Sequence, residues 1–200
     1  MKNLSKKITI AIVGRSGSGK GTQAELILKK LGKSVHYVGT GKIIRGIMDR
    51  KNPTAEVIRN IIKHGNLVPS WFAEFLWISE FVNQGIGDKD LLFDGSPRTV
   101  GEAEIMDEVM EMHGRPLPLC VYVDADEAKV TERLTLRGRA DDTPVAIKNR
   151  MDYFSKQVIP TIEYYKKKDR LIRVDGNGKP EEVWEHLDNK LRNRLKGIWR

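Results

Sequence analysis

Gly14-Arg15-Ser16-Gly17-Ser18-Gly19-Lys20 lies between an apolar run over 8–13 and a helix-forming stretch that begins at Lys20. Strand, glycine-rich turn, lysine and helix is the context in which a P-loop grips phosphate. The glycines let backbone N–H groups face phosphate oxygens, and the helix N-terminus adds its partial positive charge. Gly17, Ser18, Gly19, Lys20, Gly21 and Thr22 are therefore the expected cradle of a nucleotide, with Lys20 reaching its β- and γ-phosphates. The residue after the lysine is Gly21, where a Ser or Thr hydroxyl would hold Mg²⁺; the hydroxyl comes one place later, at Thr22. Other groups must then position the metal, which points away from switch GTPases and motor ATPases.

Leu91-Leu92-Phe93-Asp94 is an apolar strand ending in a carboxylate, the place for a Mg²⁺-organising aspartate beside a P-loop. Gly95-Ser96-Pro97-Arg98 follows and brings an arginine to the same strand edge, where it can clamp a second phosphate in a bidentate way. Arg133, Arg137, Arg139 and Arg150 come later, with Asp141 and Asp142 among them. Arg137 and Arg139 fall in a polar, glycine-containing stretch, 137–143, that reads as a short cover between two helices. Phosphoryl transfer needs positive charge around a loose anionic transition state and little acid–base machinery. His36, His64, His113 and His186 are scattered, and no Ser/His/Asp or Cys/His set stands out.

The elements that must carry these residues alternate. Strands are expected over 7–13, 34–38, 90–93, 119–123 and 170–174. Helices are expected over about 20–31, 41–50, 54–64, 70–84, 100–112, 126–137, 144–167 and 180–196. The first, third and fourth strands are unbroken apolar runs, as in strands buried on both faces of a parallel sheet. Repeated βα units imply a three-layer α/β fold with right-handed crossovers and ligands beyond the carboxyl ends of the strands. Two expected helices between the second strand and Pro69 read as a small helical insert over 40–68.

Two hundred residues suit one domain, and 40% hydrophobic with 31% charged residues is an ordinary globular composition. No apolar run is long enough to span a membrane, and Cys120 is the one cysteine, so no intramolecular disulfide forms. The expectation is a cytoplasmic monomer. No Cys/His cluster has zinc-ligand spacing. A net charge of +8 suits either nucleic acid or a site for two polyanionic nucleotides. Without an aromatic-interleaved basic stripe, neither nucleic acid nor membrane is an expected partner.

Together these residues resemble the adenylate kinase family of nucleoside monophosphate kinases, in a form with a very short lid. The resemblance runs through Gly14–Gln23, Thr40-Gly41 with Arg45, Gly65-Asn66-Leu67-Val68-Pro69, Asp94 to Thr99, Gly138 to Asp142, Arg150, Tyr164-Tyr165 and Val174-Asp175-Gly176. It implies a P-loop kinase fold with a central parallel five-stranded sheet, one domain over 1–200, an insert at about 40–68 that binds the monophosphate, and a lid at about 137–143. It implies reversible Mg²⁺-dependent transfer from ATP to a nucleoside monophosphate, most simply AMP.

By this resemblance Thr40, Arg45, Asn66, Leu67, Val68, Gly95, Ser96, Pro97 and Arg98 line the acceptor site. Asp94 orders the water ligands of Mg²⁺, and Arg139 and Arg150 bridge the transferring group. Asp141 and Asp142 orient the cover, and Lys179 lies near the adenine of ATP. Helix register assigns Arg137 to the ATP-contacting arginine, while an ungapped cover assigns Arg133.

Ser16, Lys42 and Ser96 depart from the family's usual proline, aspartate and aromatic. Glu102 stands where adenylate kinases carry a glutamine that pairs with adenine. An ionised carboxylate only accepts, which suits the N1–H and amino group of guanine, so GMP stands as an alternative acceptor, with CMP and UMP behind it. A solvent-facing Glu102, a non-catalytic nucleotide-binding relative and a nucleic-acid-associated ATPase are the competing readings.

Overall fold

The computed structural model describes residues 6–84, 88–139 and 141–199. Ala140, inside the expected cover, lies outside the described residues. Strands β1 (Thr9–Val13), β2 (Val35–Gly39), β3 (Asp90–Asp94), β4 (Leu119–Asp124) and β5 (Leu171–Asp175) form one sheet of order β2-β3-β1-β4-β5. Every pairing in it is parallel. The three unbroken apolar runs are the three central strands, buried almost throughout. β5 alternates buried and exposed residues, as an edge strand should. From β1 the chain lays β2 and β3 on one side, then β4 and β5 on the other. A topological switch therefore sits at β1, and the crevice there opens beyond the strands' carboxyl ends.

α1 (Lys20–Leu31) and α9 (Pro180–Arg194) pack on one face around Ile10, Ile12, Ile27, Leu92, Val121 and Leu187. On the other, α4 (Ser70–Asn83) and α5 (Val100–Met112) bury Trp77, Phe81, Phe93, Met106 and Met110. Trp77 is fully buried, whereas Trp71 on the same helix is exposed. Cys120 is buried, and burial pushes its thiol up, away from nucleophile chemistry.

α2 (Thr40–Met48) and α3 (Pro53–Lys63) have a small core of their own: Ile44, Ile47 and Ile58 against Val68, Phe72 and Ala73. Asn52 caps α3, its side-chain oxygen accepting from Ala55 N–H at 2.9 Å, with Pro53 in the first turn. α6 (Glu127–Arg137) and α7 (Pro144–Tyr153) flank the short cover, and Val130 and Leu134 of one meet Ile147 and Met151 of the other.

The expected single helix over 144–167 is three segments: α7, a π-helical turn over Phe154–Val158, and α8 (Ile159–Lys167). Pro160 explains the break. It has no N–H to give the carbonyl four residues back, and its ring crowds that carbonyl. The wider turn, in which Ile159 N–H reaches Phe154 O, absorbs both defects without ending the helix.

Gly65 joins the end of the insert to α7. Its φ is +73°, and a Cβ there would lie 2.3 Å from Ala146 O. Beside it Asn149 Nδ2 donates to His64 O at 2.8 Å. Gly65→Ala combines left-handed strain with a backbone clash, so it should cost about 1–3 kcal/mol. A melting temperature lowered by roughly 5 °C, read by calorimetry, is the expected result; an unchanged one would mean that the insert does not seat on α7.

Candidate active site

β1 ends at Val13, and the glycine-rich turn carries the chain into α1, whose N-cap is Gly19 in the left-handed region at φ 94°. Lys20 therefore starts the helix directly beneath the turn. Its Nζ donates to Arg15 O at 2.8 Å, across the mouth of the loop. Burial pushes the Lys20 ammonium down to about 8 against the pull of Asp94, and Arg98, Arg137 and Arg150 push the same way as burial. An ammonium so surrounded by cations stands where an anion belongs.

β3 ends at Asp94, and the next turn carries Arg98. Ser96 and Thr40 are both buried and share a 2.9 Å hydroxyl–hydroxyl hydrogen bond, which ties the start of α2 to this turn. Thr99 caps α5 by accepting from Glu102 N–H at 3.1 Å, and Glu102 Oε2 accepts from Arg98 N–H at 2.8 Å. The pair forms a reciprocal cap that anchors the Arg98 backbone. Burial raises the Glu102 carboxyl, opposed by the Arg98 N–H, the Arg98 charge and the Ser70 hydroxyl.

Glu102 thus neither points to solvent nor lines a cavity of this site. It holds the arginine turn from below. Its spacing from Thr99, three residues at a helix start, was the sequence signal for that role.

The cover is laced by ion pairs. Arg137 donates to Asp142 from Nε at 2.8 Å and Nη2 at 2.6 Å. Arg150 Nη1 donates to Asp142 Oδ1 at 2.6 Å, and Nη2 reaches the Asp141 carbonyl at 3.0 Å and also its carboxylate. Arg139 N–H points at Asp142 Oδ2, 3.3 Å away. Burial would raise the Asp142 carboxyl, but hydrogen bonds and charge from Arg137 and Arg150 outweigh it and hold the group below the ordinary carboxylate range.

Two cavities meet over these residues. One, of about 820 Å³, runs from the P-loop, including Gly17 to Thr22, past Arg133 to Gly176, Gly178 and Pro180. The other, of about 750 Å³, lies under the insert and is floored by Ile44, Met48, Ile62, Leu67 and Tyr153, with Asn66 and Arg150 at its wall. Ser16, Gly41, Arg45, Arg98, Arg137 and Arg139 line both, so the cavities join at a neck carrying four arginines.

Asp94 and Gly95 line the larger cavity, and Pro97 lines a small recess between the P-loop and Tyr153. Arg133 and Arg137 both face the larger cavity, at different depths. Arg133 donates to Gly176 O at 2.9 Å, at the far end, while Arg137 stands at the neck. Both of the arginines expected as alternatives therefore line this cavity.

Thr40 and Val68 are buried packing residues rather than cavity wall, as is Ser96. Lys179 is exposed as the N-cap of α9, where its N–H donates to Glu182 at 3.0 Å; its neighbours Gly178 and Pro180 line the cavity instead. Sequence reasoning missed Gln23, whose Nε2 donates to Pro180 O at 3.0 Å and so fastens the far loop to α1. It also missed Tyr37, whose hydroxyl donates to Asp94 Oδ2 at 2.9 Å. Burial, then the charge and hydrogen bond of Asp94, raise the Tyr37 phenol, which therefore stays a donor.

The donor atoms suit a hard cation carried in by phosphates. Among the described residues no group of three or more His, Cys, Asp or Glu could hold a metal unaided. Asp94 supplies one carboxylate in the larger cavity, and Ser18 Oγ is buried there without a hydrogen-bond partner among the described residues. One carboxylate plus substrate phosphates and retained waters is how Mg²⁺ is commonly bound.

Comparisons with known proteins agree with this geometry. The family model described as "Adenylate kinase" matches residues 12–170. A protein named "Adenylate kinase" from Azobacteroides pseudotrichonymphae is 32% identical over 190 residues, covering 93% of this chain and 98% of that one. One of the same name from Thermus thermophilus is 32% identical over 182 residues, 89% of this chain and 94% of its own. Another, from Oenococcus oeni, is 29% identical over 190 residues, 92% of this chain and 97% of its own. The parallel sheet, the lysine-bearing loop at its switch point and the two joined cavities are what such a phosphotransferase requires, and the chain belongs to the adenylate kinase family.

Proposed function

We propose that the chain catalyses ATP + AMP = 2 ADP with Mg²⁺, as one kinase domain whose insert and cover close on the two nucleotides. The observation that carries this reading is the pair of cavities joined at an arginine neck, each sized for a nucleotide. ATP lies in the larger cavity, its phosphates on the P-loop N–H groups and Lys20, its base toward Arg133 and the Gly176–Pro180 loop. AMP lies under the insert, its base on the apolar floor of Ile44, Met48 and Ile62 and its phosphate on Arg45 and Arg98. The Arg98 N–H engages Glu102 and keeps that carboxylate out of this cavity, so the residue that suggested GMP gives it no support here.

The chemistry asks for alignment and charge. Arg98 holds the attacking phosphate oxygen at the neck. Lys20 and Arg137 hold the donor phosphates. Arg139 and Arg150 meet the negative charge spread over the transferring group, with Asp141 and Asp142 holding the Arg150 guanidinium, and Asp142 the Arg139 backbone, until phosphate oxygens compete. A Mg²⁺ ion carried by ATP would neutralise charge on its β- and γ-phosphates. Asp94 and the Ser18 hydroxyl are the chain's groups placed to accept from or donate to its surroundings.

A coupled assay offering AMP, GMP, CMP and UMP with ATP, with and without chelator, tests this directly. AMP should be the preferred acceptor and chelator should stop turnover. Lys20→Ala should lower kcat by roughly two to three orders of magnitude in a protein that still folds. Turnover near wild type in that variant would sink the assigned site.

Arg98 and Arg139 should separate kinetically. Arg98→Ala should raise the KM for AMP by about tenfold or more, since it removes a charge-assisted contact already made in the ground state. Arg139→Ala should chiefly lower kcat, by about a hundredfold, since its contact grows in the transition state. The opposite pattern would exchange their roles.

Lys20 also predicts a pH signature. With its free-state value near 8, the ammonium is partly deprotonated at pH 8 and charged well below it. Bound phosphates favour the charged form, so ATP binding should take up protons at about pH 8 and above, and affinity should fall as pH rises through that range. Calorimetry in buffers of different ionisation enthalpy reads this uptake. Lys20→Met should abolish it; persistence in that variant would assign the proton elsewhere.

A further inference from the structure

Tyr37 stands near the end of β2, paired with Leu92 of β3, and Gly39 two residues on is paired with Asp94. Residues two apart on a strand share a face, so the Tyr37 ring lies along β2 over Gly39. A Cβ on Gly39 would sit 2.5 Å from ring Cε1 and 2.8 Å from both Cζ and the hydroxyl oxygen. The Gly39 backbone itself, at φ −93° and ψ 86°, does not call for glycine. The missing Cβ is therefore explained by the ring. The ring in turn delivers its hydroxyl to Asp94 Oδ2 at 2.9 Å, and Tyr37, Gly39 and Asp94 all line the larger cavity.

The contact is not needed to join the strands, because the β2–β3 ladder already runs in register from Val35 opposite Asp90 to Gly39 opposite Asp94. Its effect falls on the carboxylate. The terminal torsion of an aspartate is broad; Lys20 feels the charge of Asp94, and Arg98 lines the same cavity. A carboxylate that swung onto either cation would withdraw from the metal and weaken the cation's hold on phosphate. Fixing one oxygen with a neutral donor prevents both.

We propose that Tyr37 is a positioning residue for the nucleotide-borne metal: its hydroxyl holds Asp94 Oδ2, leaves Oδ1 to accept from a water of Mg²⁺, and requires Gly39 to make room for the ring. This rests on the reading of Asp94 as the carboxylate that orders the metal's waters.

The test is the affinity for ATP, measured by calorimetry with Mg²⁺ and with EDTA, in wild type, Tyr37→Phe, Gly39→Ala, Asp94→Asn and the Tyr37→Phe/Asp94→Asn pair. The gain in affinity that Mg²⁺ confers should shrink by about tenfold in Tyr37→Phe, the low end of what hydrogen-bond partners of metal-site ligands contribute. Affinity in EDTA should change less, since only the cations' hold on phosphate is then at stake. Gly39→Ala should show the same loss, because its Cβ displaces the ring; since it keeps the hydroxyl, agreement between the two separates the lost bond from altered packing. Tyr37→Phe should add nothing in the Asp94→Asn background.

The inference fails alone if Asp94→Asn reduces the Mg²⁺ gain while Tyr37→Phe does not, or if the Tyr37→Phe loss persists without Asp94. If Asp94→Asn leaves the gain intact, the role given to Asp94 falls, and the inference falls with it.

Discussion

Mutual repulsion among Lys20, Arg98, Arg137, Arg139 and Arg150 is the constraint on which the rest of the structure depends. Cations brought together around a space meant for phosphate repel one another until the phosphate arrives. The depressed Lys20 ammonium records this, since Arg98, Arg137 and Arg150 all push it down along with burial. The protein offsets the repulsion with carboxylates at the margin. Asp142 bridges Arg137 and Arg150, Asp141 takes a second face of Arg150, and Asp94 opposes the burial of Lys20. A pair left incomplete at Asp142, whose side chain is almost fully buried, would strand a charge; a complete one leaves the arginines aimed but exchangeable.

The fold meets this constraint by drawing each cation from a different element. Lys20 opens α1, Arg98 follows β3, Arg137 ends α6, Arg139 lies in the cover and Arg150 belongs to α7. A single helix could not present so many charges to one point, because its side chains fan outward. A parallel sheet with its switch at β1 brings several loops to one edge, and each loop contributes one cation on a backbone fixed elsewhere. The anchoring is local for Lys20, Arg98 and Arg150: Gly19 starts α1, the Thr99–Glu102 cap holds the Arg98 turn, and Thr143 caps α7 with a 3.2 Å bond from Ala146 N–H.

Much of this was legible in the sequence because it is local chemistry. The apolar runs before Gly14 and Asp94 announce buried strands, and the glycine-lysine spacing announces the cradle. What was not legible depends on direction or on distance along the chain. The identity of Glu102 suggested a choice between bases, but its direction was settled by competition with a nearer donor, the Arg98 N–H. The apolar floor under the insert is assembled from Ile44 and Met48 of α2, Ile62 of α3 and Tyr153 of α7, and no periodicity links residues of three different helices. Tyr37 looked like one strand residue among others; only the register of β2 against β3 brings it to Asp94. The π-turn at Phe154–Val158 had a signal in Pro160, outweighed by the helical pattern on either side.

The short cover sets how closure can be driven. Only residues 138–143 separate α6 from α7, a segment that spans on the order of 20 Å fully extended. Both stems are pinned, because Val130 and Leu134 pack with Ile147, Met151 and Ala125 in a core of their own. So small a segment, rich in Arg, Asp and Gly, has almost no apolar surface to bury, and the hydrophobic effect gives it little reason to close. Charge must do so. Arg137 and Arg150 can exchange the carboxylate oxygens of Asp142 and Asp141 for phosphate oxygens, and the Arg137 pair is already bidentate. Such a swap leaves each arginine paired at every stage and makes closure inexpensive without nucleotide contact being lost. A longer lid gains affinity by burying more of the nucleotide. On the proposed reading the same task falls to partner exchange at the neck, where the cover's Arg137 and Arg139 line both cavities.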